Sequence, residues 1–218
     1  MLKIIGLIFL LIMTDAGYGY DRITGKPFAS RSEVIGQNGM VATSHPLATQ
    51  IGLDILKKGG TAIDAAIAAN VALGLMEPTG NGIGGDLFAL VWDAESKKLH
   101  GLNASGPAPK DISIDYFRDN DLEKIPSYGP LPVTVPGAVD GWIKLHEKFG
   151  KLEFRTLFEP TIAYAKNGFP VTETIAYYLK NSQKRFEKYP NFNDLWVKNG
   201  SMPAKGEIFK NPQLAKTL

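Results

Sequence analysis

The chain has 218 residues, 44% hydrophobic and 21% charged, an ordinary globular composition that is long enough for one large domain or two small ones. Its 24 basic and 22 acidic residues leave a net charge of +2, which gives no electrostatic reason to expect nucleic acid or an anionic membrane as a partner. Cysteine is absent and the three histidines lie far apart, so we expect no disulfide, no metal site and no cofactor.

Residues 1–19 have the pattern of a secretory signal peptide. Lys3 gives a basic start, Ile4–Met13 is an uncharged apolar run, and small residues follow it. The run is too short to span a bilayer, so we expect export to the periplasm or the extracellular space and no membrane span. A buried N-terminal strand or helix is the alternative. Residues 20–37 are polar and irregular and are predicted to form an arm.

Two helices are predicted next, after a short strand at Met40–Thr43. His45-Pro46 begins the first helix, because proline at the first turn has no N–H to leave unsatisfied, and Gly59-Gly60 ends it. Thr61 begins the second, with Asp64 three residues later in a position typical of a capping box.

A β-hairpin and a mainly helical segment are predicted after Pro78, which ends the second helix. The predicted strands, Leu87–Trp92 and Leu99–Asn103, flank a polar turn. Beyond them we predict a surface excursion at 107–132, helices at 137–149, 152–167 and 172–186, a loop-rich region at 189–209, and a helix from Asn211.

The glycine-rich loop Asn81–Asp86 superficially resembles a nucleotide-binding loop. A phosphate cradle needs a strand, a glycine turn and then a helix, so that the helix N-terminus faces the anion. Here the predicted order is helix, loop, strand, and no GK[ST] follows. We therefore reject nucleotide binding and keep a tight structural turn as the simplest interpretation.

Asn103 and Ser105 end the second predicted strand, where substrate-binding groups are commonly presented. A local turn satisfied by these two side chains is an equally good interpretation. The aspartates beside these elements form no acid–base pair by spacing and are interpreted as solvated or capping residues; they are Asp54, Asp64, Asp86 and Asp140. Nothing in the chain supplies an identifiable nucleophile.

Four motifs resemble the γ-glutamyltransferase (glutathione hydrolase) family. They are NGMVATSHPLATQIGLDILKKGGTAIDAAIAAN at 38–70, EPTGNGIGGDLFALVWD at 77–93, LNASGPAP at 102–109 and VTVPGAVDGW at 133–142. The resemblance continues through FEPTIAYAKNGFPV and EIFKNPQLAKTL. The long first motif followed by GIGGD makes it specific.

The resemblance implies an α+β fold, the four-layer αββα sandwich of N-terminal-nucleophile hydrolases. Residues 38–218 then match the N-terminal part of the large subunit of a self-cleaving precursor and form an incomplete domain. The new N-terminal threonine of the small subunit attacks γ-glutamyl amides of glutathione or γ-glutamyl peptides, and the acyl group passes to water or to amino-acid or peptide acceptors. No catalytic residue falls in this chain, which we therefore expect to be inactive and unstable alone, with the small-subunit segment as its partner.

One departure concerns the arginine with which the large subunit clamps the substrate α-carboxylate. Its position aligns with Ser105, and the site where some relatives carry it holds Pro107, so neither position can form an ion pair. By the same alignment, Asn103 and Ser105 are the candidate substrate-binding residues. Two alternatives stay open: a related acylase or amidohydrolase with a different acyl group, and a non-catalytic truncated product.

Overall fold

The structure, a computed structural model, describes residues 34–218. The chain divides into two units, 1–38 and 39–218, and the description that follows concerns the second. The predicted signal peptide and most of the predicted arm lie outside the described residues. Among the residues that are described, no helix has the length and hydropathy needed to cross a bilayer.

The second unit consists of helices around two small antiparallel hairpins. In chain order its elements are α1 (Pro46–Lys57), α2 (Ala62–Met76), β1 (Leu87–Asp93), β2 (Lys98–Ala104), α3 (Ile114–Asp119), α4 (Ala138–Phe149), a 3₁₀ turn (Phe154–Leu157), α5 (Glu159–Asn167), β3 (Phe169–Pro170), α6 (Glu173–Phe186), α7 (Phe192–Trp196), β4 (Ile208–Phe209) and α8 (Pro212–Thr217). β1 pairs with β2 and β3 pairs with β4.

Helix α2 lies at the centre of the core. Most of its side chains are buried around its whole circumference, and the majority of them are alanine, valine, isoleucine or leucine. Small residues permit close helix packing: a Cβ on Gly52 of α1 would lie 2.8 Å from Val41 Cγ1 and 3.4 Å from the carbonyl oxygen of Ala65 in α2. The buried ring of Trp142 from α4 completes this region of the core and donates its indole N–H to Asn70 at 2.8 Å.

The predicted capping box of α2 is confirmed, and Asp64 does more than cap. The Thr61 N–H donates to the Asp64 carboxylate at 2.8 Å, and the Thr61 hydroxyl accepts from the Asp64 N–H at 3.1 Å. The same carboxylate is fully buried and accepts the backbone N–H groups of Lys151 at 3.1 Å and Leu152 at 3.3 Å. Asp64 therefore joins the start of α2 to the segment after α4.

The hairpin of β1 and β2 has two unlike faces. Its register runs from Leu87 opposite Ala104 to Asp93 opposite Lys98, close to the predicted strands. Leu87, Ala89 and Val91 pack against the core, whereas the alternate side chains project outward and are exposed, Leu90 to 78%. The exposed apolar row, Phe88, Leu90 and Trp92 together with Leu99 of β2, is called the open face below.

Two local predictions were wrong. Residues Met40–Thr43 form no strand, since no described segment pairs with them. The predicted helix 152–167 is split into a 3₁₀ turn and α5, because Pro160 in the first turn of α5 lacks the N–H that a continuous helix requires. The region 189–209 is loop-rich as predicted, and it also contains the short elements α7 and β4.

His45 caps α1 from a fully buried position. Its Nδ1 accepts the Leu47 N–H at 3.3 Å, which places the ring proton on Nε2, and that atom has no hydrogen-bond partner among the described residues. The ring meets Phe169 edge-on at 6.2 Å. Burial lowers the pKa of His45 below its usual value of about 6.5, an effect that the charge of Glu77 opposes without reversing.

We expect the fold to lose stability as the pH falls below about 6.5, because the unfolded chain then binds a proton at His45 that the folded chain does not. The slope from this one group is at most about 1.4 kcal/mol per pH unit. Thermal midpoints of the complete gene product between pH 7.5 and 5 test this. His45→Asn keeps a capping oxygen but cannot titrate, so its midpoint should fall less steeply; the more exposed control His100→Asn should follow the wild type. Equal slopes for all three proteins would contradict the assignment.

Candidate functional site

Three of the motif segments meet where β2 ends. They are the glycine loop 82–86, the strand end 103–107 and the segment 134–137 that leads into α4. The carbonyl oxygen of Gly85 accepts the N–H groups of Gly137 at 3.1 Å and Ala138 at 3.0 Å. No side chain caps α4, so this carbonyl satisfies the first orphan donors of the helix.

Asp86 joins the two other segments through its side chain. One carboxylate oxygen accepts the Gly106 N–H at 3.2 Å and the Thr134 hydroxyl at 2.9 Å. The Val135 N–H donates to the carbonyl oxygen of Pro107 at 3.0 Å. The place where the segments 82–86, 103–107 and 134–137 are joined by these bonds is called the crossing below. Sequence reasoning interpreted Asp86 as solvated or capping and missed this role. The available signal was its position directly after Gly84-Gly85 at the start of a strand.

Two glycines make the crossing possible. A Cβ on Gly106 would overlap the carbonyl group of Val135, with the carbonyl carbon only 2.6 Å away. A Cβ on Gly137 would likewise overlap the carbonyl oxygen of Ala104. In both cases the obstacle is backbone, which cannot rotate aside as a flexible side chain does. Gly106 and Gly137 are therefore required, because the two backbones approach each other too closely for a side chain at either position.

The two candidate substrate-binding residues lie at this crossing and are exposed. Asn103 Oδ1 accepts the Ser105 N–H at 2.9 Å, which is the local turn that the sequence also allowed. This bond leaves the Asn103 amide N–H groups and the Ser105 hydroxyl without partners among the described residues. The structure thus places the pair together at a strand end, in a position where both can donate to a ligand oxygen.

Two asparagines, Asn70 and Asn81, anchor the glycine loop to α2. Asn81 Oδ1 accepts the Gly82 N–H at 2.9 Å, and Asn81 Nδ2 donates to the carbonyl oxygen of Asn70 at 2.8 Å. The order is helix, loop and strand, as predicted, so no helix N-terminus faces the loop as a phosphate cradle requires. Within residues 34–218 no three His, Asp or Glu side chains are grouped to hold a metal ion.

In the described part of the chain no Ser or Thr hydroxyl is hydrogen-bonded to a His or Lys side chain that could serve as its base. What the site offers is a strand end with exposed amide and hydroxyl groups that can donate hydrogen bonds to a ligand oxygen.

Comparison with known proteins identifies the class first. The chain superposes on structures of N-terminal-nucleophile hydrolases, which confirms the expected α+β fold class. The γ-glutamyltranspeptidase of Helicobacter pylori matches with a TM-score of 0.79 and 32% identity over 85% of this chain and 54% of that chain. A cephalosporin acylase from Bacillus halodurans matches with a TM-score of 0.81 and 44% identity over 89% of this chain and 37% of that chain.

The family follows from the sequence. The profile of the family described as Gamma-glutamyltranspeptidase matches residues 48–218. The chain belongs to the γ-glutamyltranspeptidase family, as the four motifs predicted. A glutathione hydrolase proenzyme from Bacillus subtilis is 36% identical over 188 residues, which cover 84% of this chain and 32% of that protein. The chain thus spans about a third of the length of this curated relative.

Proposed function

We propose that the chain is the N-terminal part of the large subunit of a self-processing γ-glutamyltransferase or glutathione hydrolase. The observation that carries this proposal is the crossing of the three motif segments at the end of β2, in a member of this family. In this role the chain orients the substrate, with Asn103 and Ser105 as binding residues. The N-terminal threonine of the small subunit then attacks the γ-glutamyl amide, and the acyl group passes to water, amino acids or peptides.

The open face supports a two-subunit arrangement. Its apolar side chains lie on one side of a two-stranded hairpin, and a hairpin of two strands is marginal in water without a covering layer. We assign the cover to the small-subunit segment of the same precursor, which gives the second sheet of the αββα sandwich. By this proposal the 218-residue chain alone is inactive and unstable.

Export belongs to the same proposal. The pattern of residues 1–19 favours a signal peptide, so that the precursor matures as a zymogen in the periplasm or outside the cell. A cysteine-free chain is compatible with that compartment.

Expression of the complete reading frame tests the proposal. We expect two bands on a denaturing gel whose intact masses sum to that of the precursor, together with release of anilide from a γ-glutamyl anilide. A single unprocessed band would overturn the proposal and favour the non-catalytic product. Processing without anilide release would instead favour the second candidate function, hydrolysis of a different acyl amide.

That second function is hydrolysis of a different acyl amide by the same machinery. Two observations favour it: residues 103–109 contain no arginine, and the 44% identical structure is named a cephalosporin acylase. A panel of acyl amides given to the complete enzyme distinguishes the two functions by the acyl group released.

Restoring the missing clamp gives a sharper prediction. In the complete enzyme, Ser105→Arg should raise kcat/KM for a γ-glutamyl anilide at least about tenfold, because a charge-assisted bidentate hydrogen bond contributes roughly 1.5–3 kcal/mol. Ser105→Lys is the matched control, since it adds the charge without the planar fork and should gain less. Equal values for wild type and Ser105→Arg would show that Ser105 does not face the α-carboxylate.

A further inference from the structure

A cavity lies between α6, α7 and the turn that precedes the glycine loop. Its volume is about 380 Å³, within the range of small-molecule sites. α6 supplies Arg185 and Phe186, α7 supplies Phe192 and Trp196, and Tyr128 lines a further side.

The aromatic side chains of this cavity hold one another in place. The rings of Tyr128 and Phe186 meet edge-on at 5.7 Å, and the ring of Phe192 lies 5.9 Å from that of Phe186. Trp196 is stacked on Phe209 of β4 at 4.8 Å with the two planes nearly parallel. The apolar wall is therefore pre-formed, and a ligand body entering it loses little to side-chain ordering.

Arg185 is the charged group of the cavity. The side chain is exposed, and its guanidinium carbon lies over the ring of Tyr128, 4.7 Å from the ring centre. In the described part of the chain no carboxylate lies within ion-pair distance of Arg185. The contact with Tyr128 holds the guanidinium at the cavity, and its five N–H donors can make the bidentate contact that suits a carboxylate.

The surrounding charge also favours an anion. Residues 180–188 at the end of α6 contain Lys180, Lys184, Arg185 and Lys188 against the single acid Glu187. A neutral or cationic ligand would gain nothing from this field, whereas an organic anion gains from it in both encounter and binding.

We propose that this cavity binds a small organic acid with one aromatic or branched apolar body. The carboxylate is held by Arg185 and the body lies against the rings of α6 and α7. The site involves neither Asn103 nor Ser105, and it goes beyond the proposed γ-glutamyl chemistry.

Fluorine NMR of the complete gene product tests the proposal with two matched probes, 3-(4-fluorophenyl)propionate and the neutral 3-(4-fluorophenyl)propanamide. We expect the carboxylate to bind saturably and at least tenfold more tightly than the amide. Because the readout is equilibrium binding, it does not depend on processing or catalysis, so failure here is distinguishable from failure of the proposed function.

Two variants complete the test. Arg185→Gln should weaken carboxylate binding at least tenfold and leave amide binding within twofold. Lys184→Gln removes an equal charge from the surrounding field but not from the cavity, so it should leave amide binding unchanged and weaken carboxylate binding by no more than about twofold. Arg185→Lys should give an intermediate affinity, and circular dichroism of each variant checks that α6 is intact. Absence of carboxylate binding to the wild type at 10 mM (roughly −2.7 kcal/mol), equal affinity for the two probes, or an unchanged Arg185→Gln would each overturn the proposal.

Discussion

Replacing Gly106 by alanine will open the crossing at the end of β2. The new methyl group meets the Val135 carbonyl, and because that obstacle is backbone the two segments have to separate. We expect a cost of about 3 kcal/mol, at the upper end of overpacking effects. Separation also breaks the bonds from Gly106 and Thr134 to Asp86, so the exposed Asn103 and Ser105 lose their fixed position.

Hydrogen exchange of peptides covering 103–107 and 134–137 measures this effect, and exchange there should accelerate about 100-fold. Substrate turnover by the complete enzyme should fall with it. Gly101→Ala is the matched control on the same strand, since a Cβ there would lie at an ordinary 3.7 Å from Leu90. If both variants exchange at the wild-type rate, the crossing is not rigid and Gly106 is not required by packing.

The second large effect is expected from Asp64→Ala. The change leaves three backbone N–H groups, those of Thr61, Lys151 and Leu152, without the fully buried carboxylate that accepts them. A donor left unsatisfied away from water costs about 1–3 kcal/mol, and relaxation toward solvent recovers part of this, so we expect a loss of about 3 kcal/mol in all. Asp64→Asn keeps one acceptor oxygen and should lose less.

Protection against hydrogen exchange at 60–66 and 150–153 should fall together in Asp64→Ala, because one carboxylate holds both segments. Asp54→Ala provides the comparison: this carboxylate contacts Lys57 at 3.3 Å on the exposed surface of α1, where an ion pair contributes under about 1 kcal/mol. A thermal midpoint for Asp64→Ala equal to that of Asp54→Ala would refute the structural role assigned to Asp64.

Local signals in the sequence predicted most elements because the forces that set them are local. The Thr61–Asp64 capping box, Pro46 at the start of α1 and the polar turn of the hairpin each act within a few residues. The errors have the opposite origin. A strand at Met40–Thr43 depends on a partner that no local pattern specifies.

The candidate site was only half predictable for the same reason. Asn103 and Ser105 follow from their place at a strand end and from the family motif. The role of Asp86 depends on contacts with Gly106 and Thr134, 20 and 48 residues away, which spacing along the chain does not reveal. Asp64 shows the same limit, since its cap was predicted and its bonds to residues 87 and 88 positions later were not.

The open face also gives the protein a built-in reporter. The chain contains three tryptophans, and each lies in a different environment. Trp142 is buried and hydrogen-bonded, Trp196 is stacked on Phe209, and Trp92 is 62% exposed on the open face. Uniform labelling with 5-fluorotryptophan would therefore give one resonance for each environment without any substitution. The solvent-isotope shift of the Trp92 resonance would report, at one atom, whether another layer covers β1.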